Sequence, residues 1–400
     1  MPRSRSTPPA APLSGIVVAD FSRVLAGPLC TMMLADAGAR VIKVEAPGGG
    51  DETRRWGPPF LEGESAYFLS VNRSKESLTL DLKSEAGRSI AATLIERADV
   101  VVDNFRPSQR SRLGLGATRE SNPRLIHCSI VGFESGSEDA TLPGYDLLAQ
   151  ARSGLMAITG EPEGEPMKAG VALADVLTAH YAHGAINAAL FARERHGGGA
   201  SIEISLFGSM LASLVNVGQS VLVTGREAKR YGNAHQSIVP YQLFHASDRP
   251  FVLGVGTSRH FADLCTHVIG QPELGADRRF ATNEARVRNR EFLIAILESV
   301  FRQKPVRTWL RLCRARDIPA ARVDGVKEAL QSDAGRRLTG EIVHPAAGAY
   351  RATRSPIRRE GELASIGSPP PRLGEHTDRL LGELGFSKRE IGRLRREGVV

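Results

Sequence analysis

The chain has 400 residues, 42% hydrophobic and 24% charged, with 52 Lys+Arg against 44 Asp+Glu for a formal charge of +8. This balance is ordinary for a folded globular protein and excludes a chain disordered throughout; the surplus of cations suits an anionic partner without naming one. Cysteines 30, 128, 265 and 313 have no CxxC or ligand spacing, and no run of about 18 apolar residues occurs, so neither disulfides, nor a metal site, nor a membrane span is expected.

Residues 1–14, with several Pro and Arg and no apolar signal core, read as a disordered lead-in. Gly15-Ile-Val-Val-Ala-Asp-Phe21 predicts a strand, Ala26-Gly-Pro28 opens a helix ending near Gly38, and Val41-Ile-Lys-Val-Glu45 predicts a second strand. The alternation continues with a strand at Leu78–Leu82, a helix over 84–97, and strands at Val100–Val102 and Leu125–Ile130, which together predict a parallel sheet flanked by helices. No G-x-G-x-x-G follows the first strand, so a Rossmann-like layout is expected without a nicotinamide dinucleotide. A helix from Val176 to about Arg195, a strand at Ser201–Ile204 and a single helix over Leu206–Val223 complete a large domain spanning 15–224. Residues 225–325 read as a smaller α+β domain, with strands near Tyr241–Ala246 and Phe251–Val255. The Pro-, Gly- and Arg-rich 331–374 reads as an extended return, and 326–400 closes with two helices that complete the large domain. The basic stretch Lys388–Arg396 lacks aromatics and carries a balancing Glu, so a solvated helix face is expected rather than a nucleic-acid site.

Within Lys168-Ala-Gly-Val-Ala-Leu-Ala-Asp-Val-Leu-Thr-Ala-His180 one carboxylate, Asp175, stands in an apolar run. An ionised group there is costly unless paired or hydrogen-bonded. Two roles fit the residues: a cap for the helix that follows, or a poorly solvated nucleophile held near a helix N-terminus.

Several stretches together resemble one family, the class III CoA-transferases (CaiB/BaiF). They are Phe21-Ser-Arg-Val-Leu-Ala-Gly-Pro28, Val41–Glu45, Val71-Asn-Arg-Ser-Lys75, Leu80-Asp-Leu-Lys83, Asp103-Asn-Phe105, Arg112-Leu-Gly-Leu115, Gly144-Tyr-Asp-Leu147, Gly170–Asp175 and Leu373-Gly-Glu-His-Thr377. Trp56–Phe60, Glu227–Tyr231 and Ala234–Tyr241 are most similar to the succinyl-CoA:glutarate (hydroxymethylglutarate) branch. The resemblance implies an α/β fold with a Rossmann-like large domain and a smaller α+β domain, an interlocked homodimer, a cytoplasmic location, and transfer of CoA between acyl-CoA and a small carboxylic acid. No permanently bound cofactor, nucleic acid or membrane is implied.

By the same resemblance Asp175 is the acyl-accepting nucleophile, supported by Leu25, Ala26 and Tyr145. Arg23, Val24, Leu80, Lys83, Asn104, Phe105, Arg112 and Leu113 bind CoA, and Arg55, Arg73, His235 and Arg286 are candidates for the acceptor's distal carboxylate. Leu25 stands where the formyl-CoA transferase branch has Gln. Tyr145 stands where the racemase branch has the His of an acid–base pair, so transfer is expected over α-proton exchange. The alternatives are a racemase of the same family and a non-catalytic acyl-CoA-binding protein.

Overall fold

The computed structural model describes residues 11–115 and 122–400. The chain forms two compact units, one made of the residues up to Leu155 with Ala169–Gln219 and Gly335–Val400, the other of Met156–Lys168 with Ser220–Ala334. No break in composition announces that 156–168 groups with the second unit.

The first unit is built on six parallel strands, β1 (Val17–Asp20), β2 (Arg40–Glu45), β3 (Lys75–Thr79), β4 (Val100–Asp103), β5 (Ile126–Val131) and β6 (Ala200–Ser205), in the order 3-2-1-4-5-6. Strand side chains alternate between faces, and on β1 to β5 both faces are buried, whereas edge strand β6 exposes Ser201 and Glu203. Val18, Val41, Val100, Val102, Ile126 and Cys128 meet helices α1 (Ala26–Asp36) and α6 (Leu173–His196) on one side. Ala19, Ile42, Leu78 and Val101 meet α3 (Glu85–Glu96) and the two C-terminal helices on the other. Three short helices complete the surroundings of the site: α2 (Ala66–Val71), α4 (Pro107–Arg112) and α5 (Asp146–Arg152).

Four expectations need correction. The strand expected at Leu78–Leu82 runs instead over Lys75–Thr79, where the polar Lys75 and Ser77 are buried and paired. The helix expected over Leu206–Val223 is two, Leu206–Ala212 and Val215–Thr224, the second opening on Val215 at φ 43°. The extended return holds an antiparallel hairpin, Thr339–His344 with Gly348–Thr353. Of the lead-in, residues 1–10 lie outside the described residues, but Leu13 is buried and its N–H donates to Ala37 O at 2.9 Å.

The Leu373–Thr377 motif runs along edge strand β3. His376 N–H donates to Ser77 O at 3.1 Å, Ser77 N–H to His376 Nδ1 at 3.2 Å and Thr79 N–H to Thr377 Oγ1 at 3.0 Å. Backbone groups at a sheet edge are a pairing hazard, and this segment covers them.

The second unit packs a three-stranded antiparallel sheet, Tyr241–His245, Pro250–Gly254 and Ala320–Arg322, against helices through an aromatic cluster. Phe301 sits edge-on to Phe244, Phe251 and Trp309 at centroid distances of 5.0, 5.1 and 5.2 Å.

Candidate active site

In an open parallel sheet, ligands bind beyond the carboxyl ends of the strands where strand order reverses, here between β1 and β4. Two clefts lie there, both within the first unit. The first, of about 640 Å³, is lined by Phe21, Arg23, Leu80, Lys83, Arg88, Phe105, Gln109, Arg112 and Leu113 among others. The second, of about 420 Å³, is lined by Arg23, Val24, Ala26, Glu52, Trp56, Asn104, Arg106, Gly132, Gly144, Tyr145 and Asp175. Arg23, Phe105 and Gln109 border both, so the two are neighbours with a shared wall.

Sequence-predicted residues thus gather in two groups. Lys83, Arg112 and Leu113 stand at the first cleft with Leu80 beneath, and Arg88, not among the expected site residues, joins them. Asp175, Ala26, Val24, Asn104 and Tyr145, the last 60% exposed, meet at the second. Leu25 is the residue before α1 and is half-buried.

None of the four candidates for a distal carboxylate lines either cleft. Arg73 is buried and bridged to Asp36, Nε to Oδ1 at 3.0 Å. Arg286 is buried in the second unit, donating to Val239 O at 2.7 Å and Phe280 O at 3.0 Å and lying over the Phe261 ring. Arg55 is exposed on the short turn Glu52–Arg55, and His235 belongs to the second unit, edge-on to Tyr241 at 5.4 Å. The cations bordering the second cleft are Arg23, paired with Glu52 at 2.6 Å, and the exposed Arg106.

Asp175 lies in the first turn of α6, but its carboxylate does not cap that helix. The Ala174 N–H donates instead to Asp146 Oδ1 at 2.8 Å, and Asp146 Oδ2 accepts from Gln150 Nε2 at 2.7 Å. Asp175 shares the cleft with Ala26, the first residue of α1, whose backbone N–H favours the Asp175 anion and whose own helix N-terminus has no side-chain cap. The ends of two helices therefore converge on one carboxylate. Burial, and after it the negative charge of Asp146, push the Asp175 carboxyl from 3.8 up to about 7, with the Ala26 N–H pulling the other way. Tyr67, on α2 and edge-on to Trp56 at 5.4 Å, has its phenol pushed up to about 12 by burial and then by Asp175 and Asp146. Asp146, Tyr67 and Trp56 were not among the expected site residues, although Asp146 sits inside the Gly144–Leu147 motif.

The loop from Phe21 to Pro28 carries the Ala26 N–H, and buried charge holds it. Lys75 Nζ reaches Asp20 Oδ2 at 3.1 Å, Asn72 Oδ1 at 2.9 Å and Pro28 O at 2.9 Å. Lys43 Nζ donates to Ser22 O and pairs with Asp51 Oδ2, each at 2.9 Å. Asn104 grips Arg23 from both sides, accepting its N–H at 3.0 Å and donating to its carbonyl at 2.7 Å. Burial pulls the Lys75 ammonium down to about 8 despite Asp20. Burial opposes the charge on Lys43 too, but Asp51, Asp20 and Glu45 outweigh it and hold that ammonium above its usual range.

Small residues divide by function. A Cβ on Gly27 would meet the Ser22 side chain at 2.2 Å, and one on Gly144 would meet Gly132 Cα at 2.6 Å, so both are needed for close approach beside the second cleft. Gly170 has open space around it.

A family model described as CoA-transferase family III matches residues 13–377. The chain is 41% identical over 395 residues to a succinyl-CoA:glutarate CoA-transferase of Mus musculus, covering 97% of this chain and 90% of the relative. It is 40% identical over 383 residues to a succinate–glutarate CoA-transferase of Agrobacterium fabrum, covering 93% of this chain and 96% of the relative. Among solved structures, a CaiB/BaiF family protein from Brucella suis is similar at a TM-score of 0.82 and 39% identity, over 94% of this chain and 99% of that one.

Proposed function

Because this chain belongs to CoA-transferase family III and is a CoA-transferase, we propose that it moves CoA from succinyl-CoA, or a similar acyl-CoA, to a free dicarboxylate such as glutarate, through a covalent intermediate on Asp175. The observation that carries this reading is the Asp175 carboxylate itself: it borders a cleft, is poorly solvated, and is approached by a backbone N–H but by no cation within ion-pair distance among the described residues. Such an oxygen is nucleophilic once ionised.

Asp175 attacks the thioester carbonyl; the C–S bond breaks, CoA leaves as thiolate, and an acyl–aspartyl anhydride forms. The thiolate attacks the aspartyl carbonyl and releases the donor acid, leaving CoA on Asp175 as a thioester. The acceptor carboxylate attacks that carbonyl and regains an anhydride, whose acyl carbon the thiolate then takes, restoring Asp175. Each step trades one activated acyl group for another of comparable energy, so the protein's work is to position the reactants and exclude water. The first cleft takes the nucleotide end of CoA, where Lys83, Arg88 and Arg112 suit its phosphates and Arg23 and Phe105 mark the passage to the thioester. Arg106 and Arg23 are the cleft cations placed to meet a second carboxylate, and Tyr145, in place of a histidine, supports transfer over proton exchange. Exposed Val215, Leu222 and Val223 support burial against a second copy in a homodimer, and four unpaired buried cysteines fit a reducing, cytoplasmic setting.

Wild-type enzyme incubated with succinyl-CoA and hydroxylamine should lose activity with a hydroxamate on the peptide containing Asp175. Normal turnover by Asp175→Ala would end the reading.

A further inference from the structure

We infer that Asp51 is a positioning residue of the transfer reaction: it holds Val24 in a left-handed backbone conformation, so that the N–H of Ala26 is presented to Asp175. The inference rests on the Asp175 reading above.

Val24 has φ 72°, a region that β-branched residues avoid because Cβ collides with the backbone. Nothing local favours it, so the conformation must be imposed from outside, and such imposed strain clusters at functional sites. Asp51 is the group in contact: both its carboxylate oxygens accept the Val24 N–H, at 3.3 and 3.2 Å. The carboxylate cannot swing away, since Thr53 donates to it through N–H at 3.0 Å and through Oγ1 at 2.8 Å, and Lys43 pairs with it at 2.9 Å; Asp51 is 1% exposed. Asn104 fixes Arg23 next door, but its bonds to that residue do not dictate the φ of Val24.

The consequence appears two residues on. Leu25 makes no side-chain cap to α1, and Ala26, its first residue, lines the cleft with Asp175, whose anion its N–H favours. A residue at ordinary φ in place of Val24 would enter α1 along a different path, and that N–H would lose its aim. The plainer role of Asp51 is the cap of the turn Glu52–Arg55, which it also serves through the Thr53 N–H. The two roles separate by a double-mutant cycle, because glycine adopts positive φ unaided while alanine does not.

Asp51→Asn should lower kcat on the order of 100-fold, the scale of loss for a misplaced reacting group, with KM for succinyl-CoA little changed. In a Val24→Gly chain the same substitution should cost roughly tenfold less, and in a Val24→Ala chain no less than with valine. Equal loss in all three backgrounds, or a loss confined to KM, would overturn the inference and leave Asp51 as a cap. If Asp51→Asn does not fold, Val24→Pro, which forbids positive φ and lacks the N–H, takes its place; unchanged kcat there would overturn the inference equally. Hydroxylamine trapping in the wild type keeps the two readings apart: labelling of Asp175 together with a failed cycle removes only the role of Asp51, whereas absence of labelling removes the role of Asp175.

Discussion

Under the loop 21–28 the first unit buries Asp20, Lys43, Asp51 and Lys75, none more than 3% exposed, whereas the centre of the second unit is built from Phe244, Phe251, Phe301 and Trp309. Aromatic rings bury large apolar area and need few partners; Trp309 finds one for its indole N–H at Phe301 O, 2.8 Å away. Buried charges gain little net stability, because desolvation consumes most of the Coulomb attraction. What the charged cluster supplies is direction. Three bonds from it end on backbone groups of the loop, at Ser22 O, Val24 N–H and Pro28 O, and so fix the path of the chain into α1. One region is organised for stability, the other for geometry.

The largest effects test that difference directly. Lys75→Met removes one partner from a buried pair and should cost about 3–5 kcal/mol of stability; it should also depress kcat, because Pro28 O and Asp20 lose their holder. Phe301→Ala should cost a similar 3–5 kcal/mol through the cavity it leaves, with kcat of the folded fraction unchanged. Urea melts and steady-state rates on both variants give the comparison. If both lose kcat equally, or neither does, the division between stabilising and directing regions fails.

A second, smaller effect concerns Asp175 as a source of instability. Its carboxyl is raised from 3.8 to about 7, so between those values the folded state binds more protons than the unfolded one, and stability falls as pH rises through that window. Asp175→Asn removes the penalty. The variant should melt higher than the wild type at pH 8, by an amount equivalent to at most about 4 kcal/mol and reduced by the solvent that reaches the half-buried group, with the gap closing towards pH 4. A gap independent of pH would mean that the charge is not the cause.

The same contrast explains what was legible in the sequence. Alternation announced β6, which exposes Ser201 and Glu203, and apolar runs announced β1, β2, β4 and β5 nearly residue for residue, because both faces of the sheet are buried there and apolarity is the whole signal. It failed at β3, where Lys75 and Ser77 are buried by pairing rather than by apolarity. It failed again at 339–353, where an alternating strand in a hairpin carries Arg and Thr on its open face. At the site, Asp175 was visible as a charge out of place in an apolar run. Asp51, Lys43 and Asp146 were not: each reads singly as a surface charge, and only the fold brings Asp51 beside Val24 or Asp146 beside Ala174. Arg73 and Arg286 show the converse, since cations that suit a substrate carboxylate equally suit Asp36 or two backbone carbonyls, their partners here.

The smallest effect probes Asp146, which is charged but serves both purposes. It receives the Ala174 N–H and so fixes the start of α6, and it is second to burial in raising the Asp175 carboxyl. The nucleophile must be ionised, so kcat/KM, which reports the free enzyme, should climb with pH through a limb near 7. Asp146→Asn retains an oxygen for Ala174 but deletes the repelling charge. The limb should move to lower pH by less than about 1 unit, since burial, the larger cause, stays. At pH 6 the variant would then hold a larger fraction of ionised Asp175 than the wild type. An unmoved limb would assign the raised pKa to burial alone, and an upward shift would mean that Asp146 stabilises the Asp175 anion. A lower plateau alongside the shifted limb would show that Gln150, which donates to Asp146 Oδ2, needs the full carboxylate to keep α5 and α6 in register. Asp146 would then belong with the directing charges of the first unit, its electrostatic cost to Asp175 being the consequence of where it must stand.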